Sequence, residues 1–547
     1  MKKQVFNPYL PLGEYIPDGE PHLFGDRVYI YGSHDKEGGE TFCMLDYVTY
    51  SAPVEDLTDW RYEGVIYRAN QDPQYGQEIE NARLAGGNAD EASLRPVFLH
   101  MYAPDVVQGN DGRYYLYYSM SGNFGVGGYI GPISVAVADS PVGPFEFLGF
   151  VRNPDGTPML KYVLFDPAVL NDNGVIRLYY GTQYDFYERP DFTPDSEYVK
   201  QMEGMFGRSR EEILGEPDGI MGAVTVTLQD DMLTIADEPR RIIPYRVKGT
   251  DFEEHPFFEG PSMRKMGEKY YFIYSSQQNH ELCYAVSDAP DRDFVFGGTI
   301  VSNGDVGYQG RKPEDKLNMT GTTHGSIIEI NGQWYVFYHR LTHKSDYSRQ
   351  ACAEKITIEP DGSIRQVEIT SCGLNPAPLR GEGAYPAVIC CNLTDGHMPH
   401  GSNSIFQETF PNVTHETYPA EAVPGMATHE SEAREKNADG SMTERYIGEI
   451  TDGTLIGYKY FDLGGVKGLW IRAGLEGAGE GRFTFRLSPE GPELGSIVIQ
   501  EEKAEGTGTG WKREVLRSSL PDGIYPLYIT YTGNVSAKLL EFGFLNE

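Results

Sequence analysis

NGQWYVFYHR, residues 331–340, reads as a small turn ending in Gly followed by a run of alternating aromatic and aliphatic side chains. Four other stretches read the same way: GDRVYIYGS at 25–33, DGRYYLYYS at 111–119, NGVIRLYYG at 173–181 and GEKYYFIYS at 267–275. A period of two after a Gly turn predicts a half-buried β-strand, because successive side chains point to opposite faces of a sheet. Five such strands predict five similar sheets. The turns recur at uneven intervals of about 60 to 90 residues, which suits repeats carrying loop insertions of unequal length.

Second strands with polar turns follow, as ISVAVADSPVGPFEFLG (133–149), AVTVTLQDDMLTI (223–235) and LCYAVSDAPDRDFVFGG (282–298). The pattern is an antiparallel meander. Meanders repeated about an axis predict an all-β fold, a five-bladed β-propeller over residues 1–375 whose first strands converge on a central channel. The last blade is expected to end near Ile369. Between about Thr370 and Ala433 the chain is rich in Pro, Gly and polar residues with weak periodicity and reads as a linker plus domain entry. From Tyr446 short alternating runs return, and residues 376–547 are expected to hold that linker and a jelly-roll-like β-sandwich. One short amphipathic helix is expected near Asp195 to Ile213.

The 80 acidic and 46 basic residues give a formal charge of −34 over 547 residues. That balance repels phosphate backbones and anionic lipid, so neither nucleic acid nor a membrane surface is expected as a partner. The opening MKKQVFNPYLPLGEY has no apolar stretch of signal-peptide length. Six cysteines without CxxC spacing point to reduced thiols rather than a disulfide framework or zinc, and a cytoplasmic location is expected.

Three acids sit just upstream of Gly turns in different repeats: Asp18 before the first, Asp166 before the third and Glu259 before the fourth. Asp105 and His324 hold the corresponding places in the second and fifth. A propeller would gather all five at one end of its channel. Asp beside Pro or Gly is commonly a turn former, but five polar residues at one repeat position exceed what turns require. The chemistry that needs such a trio is glycosidic bond hydrolysis: one acid protonates the leaving oxygen, a carboxylate activates water, and a third acid raises the donor's pKa. His34 and Asp105 are candidates to bond sugar hydroxyls, and Phe257, Phe258 and Tyr102 to offer an apolar wall.

In order along the chain, NPYLPLGEYIPDGEPHLFGDRVYIYGSHD, the APD, FDP and EGPSMRK segments and THGSIIEINGQWYVFYHR resemble family 43 glycoside hydrolases. The resemblance implies a five-bladed propeller that cleaves α-L-arabinofuranosyl or β-D-xylosyl linkages with inversion. It places Asp18 on the general base, Asp166 on the acid that tunes the donor and orients substrate, and Glu259 on the general acid. Relatives usually show Asp-Pro-Ser at the base; here Asp18-Gly19-Glu20-Pro21 leaves Glu20 as a rival. The resemblance further implies a Ca2+ near His324, no organic cofactor, and an arginine reaching the pocket at Arg349. The C-terminal part is similar to family 6 carbohydrate-binding modules, with Trp470 and Trp511 as candidate sugar platforms and a purely structural role as the alternative.

These features favour an exo-acting hydrolase that removes arabinofuranose, or xylose, from oligosaccharides derived from plant hemicellulose. The rival readings are a noncatalytic glycan- or protein-binding propeller, whose acids would be neutralised by Lys or Arg, and a galactosidase or glycoside phosphorylase on a similar scaffold.

Overall fold

The computed structural model describes residues 3–37, 39, 41–84, 100–120, 131–184, 197–213, 219–401, 408–416, 444–502 and 510–546. In the five Gly turns, Gly25, Gly112, Gly174, Gly267 and Gly332 all take positive φ, between 59° and 93°. Asn173 and Asn331 do so as well, at 52° and 51°. Two consecutive left-handed residues make the hairpin turn whose twist matches that of the flanking strands, which is why Asn-Gly stands there.

Each turn joins the first two strands of a small antiparallel sheet. The first sheet runs Glu20–Phe24, Arg27–Tyr31, Tyr47–Pro53, Arg61–Tyr67, and the second Asp105–Gln108, Tyr114–Tyr118, Ser134–Ala138, Glu146–Phe150. The third runs Ala168–Asp172, Val175–Tyr180, Val224–Leu228, Arg240–Arg241, and the fourth Phe257–Met266, Lys269–Ser276, Glu281–Ser287, Val295–Ser302. The fifth has three strands, Ser326–Ile330, Gln333–Leu341 and Arg349–Ile356.

The first strands touch one another in a circle: first sheet beside second, second beside third, third beside fourth, fourth beside fifth and fifth beside first. Apolar clusters fill the same five seams. The tyrosines of the aromatic strands have a job beyond area. Tyr31 donates to the Pro141 carbonyl of the next sheet, Tyr117 to Met232, Tyr179 to Pro290 and Tyr271 to Gly362, at 2.7 to 3.0 Å. Asn331 closes the series by donating to Val54 of the first sheet at 2.6 Å. A buried phenol needs a partner, and for these four it is the turn of the following sheet.

The N-terminal segment seals the seam between the fifth and first sheets. Val5, Tyr9 and Leu10 enter its apolar cluster. Fully buried Asn7 donates to Ala353 O (2.9 Å), Glu354 Oε1 (2.9 Å) and Thr370 O (3.0 Å) and accepts the Ala353 N–H (3.0 Å).

Two six-stranded sheets follow, packed about one large apolar cluster that includes Tyr385, Tyr458, Phe461, Phe542 and Phe544. They correct the linker expectation. Leu379–Arg380, Gly383–Pro386, Asn392–Thr394 and Asn412–Thr414 are strands of these sheets, and their brevity hides any period in the sequence. The rest of the expected linker includes residues 402–407 and 417–433, outside the described residues. Lys512–Arg517 is a further strand that was not expected, because KREVLR is a largely exposed sheet edge without apolar alternation. The helix expected near 195–213 appears as Glu197–Phe206 and Arg210–Ile213, and a second, Pro73–Leu84, was not foreseen. The fold is therefore all-β with few helices.

Replacing Asn7 by Ala should cost about 3 kcal/mol, since it strands several buried backbone and carboxylate groups at once. Urea unfolding followed by tyrosine fluorescence checks this; an unchanged midpoint would mean that the N-terminal segment does not hold the seam.

Candidate active site

Asp18 and Asp166 precede the first strands of the first and third sheets, and both adopt left-handed backbone, with φ of 59° and 46°. Such backbone is uncommon outside Gly and is kept where surroundings over-determine it. Glu259 lies within the Phe257–Met266 strand, where the register slips on both sides of it, a bulge that re-aims its side chain. His324 immediately precedes the fifth sheet's first strand.

These residues meet. His324 Nδ1 is 3.7 Å from Asp18 Oδ1 and 4.0 Å from Asp166 Oδ2. Gly260, at φ +66°, packs its Cα so closely on the His324 ring that a Cβ there would stand 2.8 Å from Cγ. Its backbone N–H also serves Asp166. Asp18 is 4 % exposed, Asp166 5 % and His324 6 %.

One guanidinium organises the surroundings of Asp18. Arg349 Nη1 donates to Asp18 at 3.0 and 3.2 Å, while Nε and Nη2 grip both oxygens of Asp35 at 2.7 and 2.8 Å. Phe42 lies under its plane, 4.8 Å from Cζ, and Nη2 also reaches Cys43 Sγ at 3.5 Å. Arg349 is thus fully committed to two carboxylates. His339 completes the cradle: Nε2 stands 2.9 Å from the Thr322 carbonyl and Nδ1 accepts the Asp18 N–H at 3.2 Å.

The charges diverge accordingly. Burial would push the Asp18 carboxyl up, but Arg349 above all outweighs it and holds the group below its usual range. For Glu259, burial followed by repulsion from Asp18 outweighs the more distant pull of Arg349 and raises the pKa to about 8. Asp166 is raised well above its usual value by burial, then by Glu259 and Asp18. Among the described residues, no ion pair with Lys or Arg reaches Asp166 or Glu259. Asp18 is thus shifted down while Glu259 and Asp166 are shifted up, the divergence that acid–base catalysis needs.

The sequence model described as Glycosyl hydrolases family 43 matches residues 207–364. A xylosidase/arabinosidase from Thermoclostridium stercorarium is 41% identical over 552 residues, covering 99% of each chain. The chain belongs to glycosyl hydrolase family 43. It is a glycoside hydrolase. Xylosidase/arabinosidase 43A from Humicola insolens is 30% identical over 373 residues, 64% of this chain and 96% of that one. The solved GH43_1 enzyme from Xanthomonas citri complexed with xylotriose matches with a TM-score of 0.48 at 24% identity, over 67% of this chain and 94% of that one.

The other expected residues of this hydrolase are placed differently from the acids. Asp105 is fully buried: Oδ1 meets His22 Nε2 at 2.6 Å and Oδ2 accepts the Val169 N–H at 2.7 Å, so it ties the second sheet to the first and third. His34 is buried too, with Nδ1 2.8 Å from the Asp46 carbonyl and Nε2 3.8 Å from Glu14. Glu20, the rival base, accepts from Arg264 Nη2 at 2.6 Å and Ser262 at 3.0 Å. Phe258 is half-buried at the seam of the third and fourth sheets, edge-on to Tyr184 at 5.3 Å. Tyr184, Tyr245, Arg246 and Pro256 line a cavity of about 700 Å³ alongside. Trp470 is buried beneath Arg513, and Trp511 packs between Tyr446 and Lys538.

Sequence reasoning missed Asp35 and His339. Asp35, in GSHD, follows its aromatic strand and His339, in YVFYHR, lies near the end of its own, whereas the repeat pattern points to residues upstream of the turns.

A pKa of about 8 for Glu259, above the ordinary 4.5, means that folding favours its protonated form. Its contribution is present at low pH and is lost as the pH rises from about 4.5 to about 8. Glu259→Gln should therefore melt above the parent, by a margin that grows from about pH 5 to about pH 8. Scanning calorimetry across that range checks the sign; a margin that shrinks with pH would show Glu259 ionised in the folded enzyme.

Proposed function

We propose an inverting exo-hydrolase that releases terminal α-L-arabinofuranose or β-D-xylose from hemicellulose-derived oligosaccharides. The observation that carries this is the unequal pairing of the three acids: Arg349 bonds Asp18, whereas among the described residues neither Asp166 nor Glu259 forms an ion pair with Lys or Arg. Asp18, held ionised by Arg349, takes the proton from a water as that water attacks the anomeric carbon. Glu259, raised by burial and the Asp18 charge, gives its proton to the departing oxygen, and Asp166 bonds the sugar. Inversion requires the two carboxyls to stand about 6.5 to 9.5 Å apart, leaving space for the water. The xylosidase/arabinosidase names of the two relatives described above support both sugars, and Arg349 acts on substrate through Asp18. The noncatalytic reading is disfavoured because the acids other than Asp18 carry no basic neutraliser among the described residues.

The circular order of first strands supports reading the five sheets as the blades of a five-bladed β-propeller over residues 1–375. The two six-stranded sheets then form a β-sandwich within residues 376–547. In that channel the residues fit a hard cation. His324 Nε2 and Glu20 Oε1 are buried without a hydrogen-bond partner, and Glu20, His22 and Asp105 bring one ligand atom each within 4.8 Å of one another. Glu20, His22 and Asp105 would hold Ca2+ once the His22–Asp105 hydrogen bond opens, with His324 reached through water. Bound there, the ion would supply positive potential to the channel. No organic cofactor is required by this chemistry. Six unpaired thiols support a cytoplasmic location; no helix among the described residues is long and apolar enough to cross a membrane.

The test is kinetic. On nitrophenyl xyloside and arabinofuranoside, kcat/KM should fall on the alkaline side with an apparent pKa of about 8, and that limb should vanish in Glu259→Gln. Asp18→Asn should lose at least about 10³-fold on every substrate, while Glu259→Gln should lose far less on an activated nitrophenyl leaving group than on xylobiose. Equal losses on both leaving groups would remove Glu259 from the acid role. Chelation followed by Ca2+ add-back should lower and then restore the melting temperature; indifference to both would remove the cation.

A further inference from the structure

Arg349 is held not only by its own sheet but by two loops that the C-terminal sheets grip from outside. The first loop joins Arg27–Tyr31 to Tyr47–Pro53 and carries Asp35, Phe42 and Cys43, all in contact with Arg349. Two residues beyond Asp35, Glu37 is pinned by Arg445 Nη2 at 2.8 Å, by His415 Nε2 at 3.2 Å and by the Tyr15 hydroxyl at 2.7 Å. Tyr15 also carries the carbonyl that accepts the Asp35 N–H, at 2.9 Å. The side chains of Arg445 and His415 are 1 % and 0 % exposed.

The second loop runs directly into Arg349. Its Thr342 carbonyl accepts the Val413 N–H at 2.8 Å, His343 Nδ1 meets the Val413 carbonyl at 2.7 Å, and Lys344 Nζ donates to the Glu408 carbonyl at 2.6 Å. Residues 408–416 and Arg445 thus clasp both walls of the pocket that seats the guanidinium. A buried carboxylate with charged partners from a separate part of the chain is costly to assemble and demands a fixed geometry.

We propose that Arg445, His415 and Glu37 are positioning residues for the catalytic base: the C-terminal sheets act in hydrolysis by fixing Arg349, and through it Asp18, rather than by holding sugar. The proposal rests on Asp18 being the base. A shift of an ångström in the base's carboxylate misplaces the attacking water, an error worth up to about 10²-fold in rate.

The experiment uses the full chain and a nitrophenyl glycoside, whose activated leaving group isolates the base side of the reaction. Arg445→Met and the isosteric Glu37→Gln should each lower kcat about tenfold with KM within about twofold of the parent. Arg445→Lys should recover most of that loss. The double variant should lose no more than the worse single one, because both substitutions break the same clasp. Unchanged kcat in Glu37→Gln, or a raised KM at constant kcat, would overturn the proposal even if Arg445→Met fails to fold, leaving the contact as scaffolding alone. Asp18→Asn is assayed alongside: if it stays active, the base assignment itself has failed, which is a different outcome from an active Glu37→Gln.

Discussion

A single buried ion triad, Asp18–Arg349–Asp35, sets the chemistry of this enzyme. Taking three charges out of water is expensive, and their mutual attraction repays it only when geometry and hydrogen bonding are nearly complete. Here every nitrogen of the guanidinium is spent on the two carboxylates, with one also reaching a thiol, and an aromatic ring covers its face. The triad keeps Asp18 ionised in a site where burial alone would protonate it. The same Asp18 charge then raises Glu259. Burial is the larger cause of the Glu259 shift and the Asp18 charge adds to it, so the triad lowers Asp18 and contributes to raising Glu259.

The fold sustains such a triad by setting Asp18 and Asp35 beside the first sheet and Arg349 on the fifth, two sheets packed against each other. Tyrosine hydroxyls from the second strands hook the turn of the following sheet in four of the five seams, and Asn331 does so in the fifth. The acids lie at or just before the first strands, where the sheets approach most closely. Left-handed backbone at Asp18 and Asp166, and the bulge at Glu259, turn the side chains toward one another. The strain is local and is borne by the ring.

The repeat was legible because it rests on local chemistry. A Gly turn and a two-residue period need no knowledge of tertiary neighbours, so all five strands of that type, and the acids upstream of them, could be read from the chain. What the sequence hides are pairings across hundreds of residues. The resemblance puts Arg349 at the pocket, but only the structure shows it bound to Asp18 and Asp35, more than three hundred positions away, rather than free for sugar. Asp105 looks like a fifth site residue by repeat position, yet His22 and the Val169 N–H claim its carboxylate for joining sheets. The strands within residues 379–414 escaped because two to four residues cannot display a period, and KREVLR because an exposed edge strand needs no apolar face.

The central claim is a single displacement, with water delivered by Asp18 to the face opposite the leaving group. It is tested most directly by following the anomeric proton by NMR during the first seconds of turnover of a nitrophenyl β-D-xyloside. The account requires that α-xylose appear first and that the β anomer grow in later by mutarotation. Initial release of β-xylose would mean two displacements through a covalent intermediate, and would contradict the roles assigned to Asp18 and Glu259.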